Sequence, residues 1–210
     1  MRYKRMPDSK KYGMPKMLEY NDDRHEYRWN GKIVLSVTQI IPDQKFYQTA
    51  EKLEAARLEG NNNHSLVKMY FDTRCTFGDP YLERFEKWYL ENKKMLGELR
   101  AYEEMFYSKF GFPGRPDLIF KNAVVDLKRS LGNLKHHALQ LAGYSILAKE
   151  HKLTNTKKWL IIWDDGKEFK MKNCYDNKSE GMFRSLLLKH KNLLVNEQID
   201  QQYKNYMGAI

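Results

Sequence analysis

The stretch "GRPDLIFKNAVVDLKRS", Gly114 to Ser130, decides how this chain reads. Two apolar runs, Leu118 to Phe120 and Ala123 to Val125, flank Lys121-Asn122, which fits a two-residue turn, so the stretch predicts a β-hairpin. Against that apolar background stand Asp117, Asp126 and Lys128. Side chains alternate across a strand, so Asp126 and Lys128 share a face with Val124, while Val125 and Leu127 take the other face. With Lys121-Asn122 as the turn, Phe120 pairs with Ala123, and counting back places Asp117 opposite Asp126. Two carboxylates then face each other at about 5 Å between β-carbons, which destabilises a sheet unless a cation lies between them.

Oxygen ligands with no thiolate nearby suit a hard divalent ion, Mg²⁺ or Mn²⁺ above zinc. A lysine beside such an ion can orient an attacking water and offset charge on a phosphate oxygen. A bare Asp-x-Lys more often marks a salt bridge on a solvated hairpin face, so the rest of the chain has to decide.

Working outward, "RPDLIF" and "AVVDLK" follow a third strand spread over "LRAYEEMFYSKFGF", Leu99 to Phe112. "NLKHHALQLAGYSILAKE" reads as a long helix capped by Asn133. "KWLIIWDDGKEFKM" is a hairpin around Asp165-Gly166, and a closing amphipathic helix follows with Ser179 as its cap. Before the sheet the chain is mostly helical. A hairpin turns at Asn30-Gly31, and Ser36 with Gln39 forms a capping box for a short helix ended by Pro42. A helix from Gln48 to Leu58 is broken by "GNNN" at Gly60 to Asn63, and another runs from His64 to Phe71. Asp79-Pro80 opens a third, whose Leu82, Phe85, Trp88, Tyr89 and Leu90 form a core stripe. The expectation is one α/β domain over residues 1–210: a helical lobe with an amino-terminal hairpin to about 100, a sheet core over 100–175, and a closing helix over 176–210.

Composition narrows the partners. The 210 residues carry a formal charge of +10 and are 41% hydrophobic, which suits a globular chain and leaves two readings of the charge open, a polyanionic partner with nucleic acid first, or a lysine-rich surface that only aids solubility. Cys75 and Cys174 are the two cysteines, too few for a thiolate zinc site or a four-cysteine iron–sulfur cluster. The basic start "MRYKRMPDSKKYG" lacks an apolar h-region and reads as a loose arm, and no run approaches a membrane span of about 20 apolar residues. A soluble, cytoplasmic chain follows as the expectation, and a monomer suffices.

Pro116-Asp117 followed by Asp126-Leu127-Lys128 on the next strand resembles the PD-(D/E)XK nuclease superfamily. "ALQLAGY" adds Gln140 and Tyr144 in the Q-x-x-x-Y spacing of the RecB-like branch, sharing a helical face with His136. "GNNNHSLV" resembles the family's histidine-bearing helix, and "YRWNGKIVLSVTQII" the start of phage-encoded exonucleases and of the mitochondrial genome maintenance exonuclease.

The resemblance implies a restriction-endonuclease-like fold, a mixed central sheet flanked by helices. It makes Asp117 and Asp126 metal ligands with the Leu127 carbonyl a third, Lys128 the catalytic lysine and His64 a further ligand. It also implies an acid on the preceding strand, Glu103 or Glu104, with Glu103 preferred. Gln140 and Tyr144 then contact the DNA strand or position the lysine. One or two Mg²⁺ or Mn²⁺ ions serve as cofactor, and no iron–sulfur cluster is expected. The activity implied is metal-dependent hydrolysis of DNA, as an exonuclease on ends or single strands. The alternatives are a structure-specific or nicking endonuclease and a non-catalytic DNA-binding subunit.

Overall fold

The computed structural model describes residues 4–5, 18–21, 26–42 and 49–207, of which 4–5, 50, 53 and 193–207 by backbone alone. β1 (Lys4–Arg5), β2 (Leu18–Asn21), β3 (Glu26–Trp29) and β4 (Lys32–Val34) form an antiparallel sheet in chain order. Asn30 at φ 50° and Gly31 at φ 75° supply the two left-handed residues that a tight hairpin turn requires, as expected. The basic start is not wholly a loose arm: Lys4 pairs with Tyr20 and Arg5 with Glu19. The rest of it lies outside the described residues. Leu18, Tyr20 and Tyr27 are buried with Met105, tying this sheet to the body of the protein.

α1 (Val37–Ile40) is a single turn. The Ser36 N–H donates to Gln39 Oε1 at 2.9 Å, and the helix stops just before Pro42. α2 (Ala50–Thr73) corrects the sequence reading, because it runs unbroken through Gly60 to Asn63. A glycine costs a helix about 1 kcal/mol and asparagines somewhat less, too little to open a helix whose later turns bury Val67, Tyr70 and Phe71. His64 is therefore mid-helix and does not open one; the expected start at Gln48 lies outside the described residues.

α3 (Pro80–Leu96) begins where Asp79 Oδ1 accepts the Leu82 N–H at 2.9 Å. Leu82, Phe85, Trp88 and Tyr89 are buried as expected, but Leu90 is 56% exposed, one residue past the edge of the stripe.

The expected strand over Leu99 to Phe112 is broken. It becomes β5 (Leu99–Tyr102), a bend at Glu103 with φ 48°, and β6 (Phe106–Tyr107), which pairs with β7 (Pro113–Gly114) in a separate two-stranded ladder. β8 (Leu118–Phe120) and β9 (Ala123–Lys128) keep the predicted register, with Phe120 opposite Ala123 and Leu118 opposite Val125.

α4 (Leu134–Glu150) then leads to β10 (Trp159–Asp164) and β11 (Phe169–Asn173), and α5 (Asn177–Met207) closes the chain. Asn133 Oδ1 accepts the Lys135 N–H at 3.1 Å, as a cap should. At α5 the cap is Asp176, not Ser179: Asp176 Oδ1 accepts the Lys178 N–H at 3.0 Å, and the Ser179 hydroxyl donates to the same carboxylate.

The five-stranded sheet has the order β11-β10-β9-β8-β5, with β9 and β10 parallel and the other pairs antiparallel, so it is mixed. Strand alternation splits the core in two. Ala101, Ile119, Val124 and Ile161 face α1, α4 and α5 through Val37, Leu141, Ala142 and Phe183. Leu118, Phe120, Val125, Leu127 and Ile162 face α2 and α3. Buried on most of its length, α4 is apolar nearly all round. Among the described residues no helix is long and apolar enough to cross a membrane.

Candidate functional site

A cleft of about 1140 Å³ opens at the end of the β8–β9 hairpin away from its turn. α2 lines one side of it, α4 contributes Gln140 and Tyr144, and His64, Glu103, Asp117, Asp126 and Lys128 all face it. The hairpin alone sets Asp117 and Asp126 side by side; α2 and the bend after β5 bring the rest.

Asp117 precedes β8 and is anchored twice. Its Oδ2 accepts the Leu127 N–H at 2.6 Å, and its carbonyl accepts the Glu103 N–H at 2.9 Å. The second bond coincides with the left-handed backbone at Glu103, which takes this residue out of the strand. Strand alternation therefore does not choose between Glu103 and Glu104. The bend does: Glu103 Oε1 reaches His64 Nδ1 at 2.7 Å and Glu103 Oε2 lies 3.3 Å from Arg115 Nε, while Glu104 is not part of the cleft wall.

His64 Nδ1 also lies 3.4 Å from Asp117 Oδ1. One ligand atom each from His64, Glu103 and Asp117 falls within 4.8 Å of the others, a set of one imidazole and two carboxylates that suits a divalent cation. Asp126 stands outside this tightest group, so the cation expected between the two facing aspartates has its nearest convergent donors on the His64 side of Asp117. The Leu127 amide holds Asp117 Oδ2, whereas Asp126 turns toward Lys128. That amide bond is the contact by which Leu127 enters the site.

Asp126 is 1% exposed, and its Oδ1 has no hydrogen-bond partner among the described residues. Lys128 Nζ, 2.8 Å from Oδ2, is the one close cationic partner of this carboxylate among the described residues. A buried carboxylate with so few donors is costly unless something cationic completes its shell. The donor chemistry thus fits a hard metal ion at this end of the hairpin.

The charges respond to burial and to one another. Burial opposes a charged His64, yet the Asp117 carboxylate, the hydrogen bond that His64 donates to Glu103 and the Asp126 carboxylate outweigh it and raise His64 to about 9. Burial pushes Asp117 up to about 7, against the pull of His64, and Asp126 and Glu103 push it the same way. Burial works against the Lys128 ammonium too, but Asp126 and Asp117 hold it above its ordinary value. Tyr144 is forced well up by burial and by the two aspartates, and accepts a hydrogen bond from Gln140 Nε2 at 3.2 Å. It is a neutral hydroxyl aimed at a carboxylate-rich cleft.

Five of the residues singled out in sequence converge here with Gln140 and Tyr144, whereas Leu127 does not line the cleft and touches the site through its N–H on Asp117, not through the carbonyl. His136 does not line the cleft; its N–H is spent on the Asn133 cap. Next to it His137 is buried, both ring nitrogens lack a partner among the described residues, and burial pushes its pKa down to about 4.

Arg57, Asn61, Ser65, Lys68 and Arg115 also line the cleft and escaped the sequence reading. Four of them sit three or four residues apart on α2, a polar stripe visible once that helix is read as continuous. Tyr20 and Tyr27 complete the wall from β2 and β3, and no local signal points to them. No protein-family model matches the chain and no curated protein is similar to it, which leaves this geometry as the ground for a function.

Proposed function

We propose that this chain is a divalent-metal-dependent DNA nuclease with a restriction-endonuclease-like fold, acting on ends or single strands as an exonuclease. The observation that carries the reading is the buried Asp126 carboxylate, 1% exposed and 2.8 Å from the Lys128 ammonium, in one cleft with His64, Glu103 and Asp117. The mixed sheet flanked by helices supports it, as does the placement of Gln140 and Tyr144 on the cleft wall.

His64, Glu103 and Asp117, with Asp126 on the other side of Asp117, are the residues that would hold Mg²⁺ or Mn²⁺. When bound, such an ion supplies positive charge for the scissile phosphate and lowers the pKa of an attacking water. Lys128 presents an ammonium, positioned by Asp126, that can hold that water and offset charge as the phosphate becomes pentacovalent. Arg115, Arg57 and Lys68 offer cations along the cleft for neighbouring phosphates. Tyr144, kept protonated, can donate to a phosphate oxygen, and Gln140 fixes its hydroxyl. The cation excess of the whole chain supports a polyanionic substrate.

The test is degradation of end-labelled linear DNA and of circular single-stranded DNA, with Mn²⁺ and with EDTA. Mn²⁺-dependent loss of the linear substrate with the circle intact is the expected result. Cutting of the circle moves the reading to an endonuclease, and no cutting of either DNA by the wild type overturns it.

A further inference from the structure

A second cleft, about 890 Å³, opens at the other end of the β8–β9 hairpin, over the Lys121-Asn122 turn and the connection from α4 to β10. Arg100, Lys121, Lys149, Lys152 and Lys158 line it, and no carboxylate does among the described residues. Arg100 and Lys149 are paired, each 3.0 Å from a glutamate, Glu98 and Glu180. Lys121, Lys152 and Lys158 have no such partner among the described residues.

These cations rest on a tied frame. The Thr154 hydroxyl donates to the Lys121 carbonyl at 2.7 Å and the Thr156 hydroxyl to the Asn122 carbonyl at 2.7 Å. The Val124 N–H donates to the Lys158 carbonyl at 3.0 Å, and the Lys121 N–H to the Glu98 carbonyl at 2.8 Å. Turn and connection therefore form one floor that holds like charges together at a repulsive cost. Lys149 and Lys152 stand at the carboxyl end of α4 and offset its negative pole. Lys121 lies beside the carboxyl end of α3, where the Asn122 N–H donates to the Leu96 carbonyl at 3.0 Å, and Lys158 precedes β10, where no helix pole calls for it.

Among the described residues no aromatic side chain lines this cleft, which suits phosphate oxygens rather than stacked bases. The two clefts share no residue and are separated by the three-residue length of the hairpin, on the order of 10 Å or more. That spans about three base pairs of duplex rise.

We propose that this cleft is a second phosphate-binding site that grips the nucleic-acid backbone away from the catalytic cleft, an inference that rests on the reading of the chain as a DNA nuclease. A strand held at both clefts stays bound between cuts.

The test is a triple variant, Lys121→Gln, Lys152→Gln and Lys158→Gln, checked by its melting temperature for an intact fold. Binding of a labelled 20-nucleotide single strand is followed by anisotropy in EDTA across a salt series. The slope of log affinity against log salt should become shallower by about 2, from roughly 0.7 per lost contact, and affinity at 0.1 M salt should fall at least tenfold. Mn²⁺-dependent cleavage of a dinucleotide, whose single phosphate cannot occupy both clefts, should be unchanged. An unchanged slope and affinity overturn the second site, as does a loss confined to binding of tripolyphosphate, which assigns the cleft to a small polyphosphate. A wild type that shows the slope difference against the variant yet cuts no DNA sustains the second site and overturns the nuclease reading alone.

Discussion

Asp117→Asn should make the metal-free protein more stable and the metal-loaded protein inert. Burial raises the Asp117 pKa from 3.8 to about 7, so ionising it in the folded state is harder than in the unfolded chain. At about 1.4 kcal/mol per pKa unit, the ionised carboxylate costs roughly 4 kcal/mol at pH 8, a figure that already contains its attraction to His64. Asparagine keeps an oxygen to accept the Leu127 N–H and removes the charge.

The sign follows from the direction of the shift. An acid whose folded pKa is raised is neutral in the fold below about pH 7 and in the unfolded chain below about pH 4. Its cost is full above pH 7 and vanishes as pH falls through that window. Urea denaturation in EDTA should give the variant a gain of roughly 3–4 kcal/mol at pH 8, shrinking toward zero near pH 4. With Mn²⁺ the gap narrows. The wild type should gain about 2.7 kcal/mol at a hundred times its dissociation constant, and the variant little. A gain that is absent at pH 8, or independent of pH, would falsify the picture of Asp117 as a carboxylate held in a strained, charge-crowded pocket.

Lys128→Ala should lower any metal-dependent hydrolysis by at least about a hundredfold and destabilise the metal-free fold by about 3 kcal/mol, because it strips the ion pair from buried Asp126. Mn²⁺ should restore part of that stability in a thermal melt; destabilisation that Mn²⁺ leaves untouched speaks against a cation beside Asp126. Gly143→Ala should cost about 1–3 kcal/mol in urea, since its new methyl meets Val37 at 2.7 Å and Phe183 at 2.8 Å, both fully buried. A neutral result means that α1 and α5 pack loosely enough on α4 to make room for a methyl group. Cys75 is exposed, whereas burial pushes the Cys174 thiol up to about 12, so iodoacetamide at pH 8 should modify one cysteine in the native protein and both in urea. Two fast equivalents on the native protein contradict the packing around Cys174.

Much of the site's centre was legible because it is local. The hairpin register follows from a two-residue turn and the strand period, so Asp117, Asp126 and Lys128 fall on one face by counting alone, and the structure keeps that register. The caps at Asn133 and Asp79 are likewise decided within a few residues. Where local propensity was allowed to overrule packing, the reading failed. Gly60 to Asn63 looked like a break, but α2 runs through them because its later turns are fixed against α3. The same error hid the stripe of Arg57, Asn61, Ser65 and Lys68.

By itself, then, the sequence determined the hairpin, its register, the sharing of a face by Asp126 and Lys128, and the helix that carries Gln140 and Tyr144. Those depend on hydrogen bonds and alternation between near neighbours. The tertiary structure alone decided that His64, 39 residues before Glu103, reaches its carboxylate, and that Glu103 leaves its strand through the left-handed turn tied to Asp117. It decided too that Lys121 and Lys158 meet at the far end of the same hairpin. Contacts between distant segments depend on which buried faces pack together, and turn signals or strand periods do not encode that choice locally.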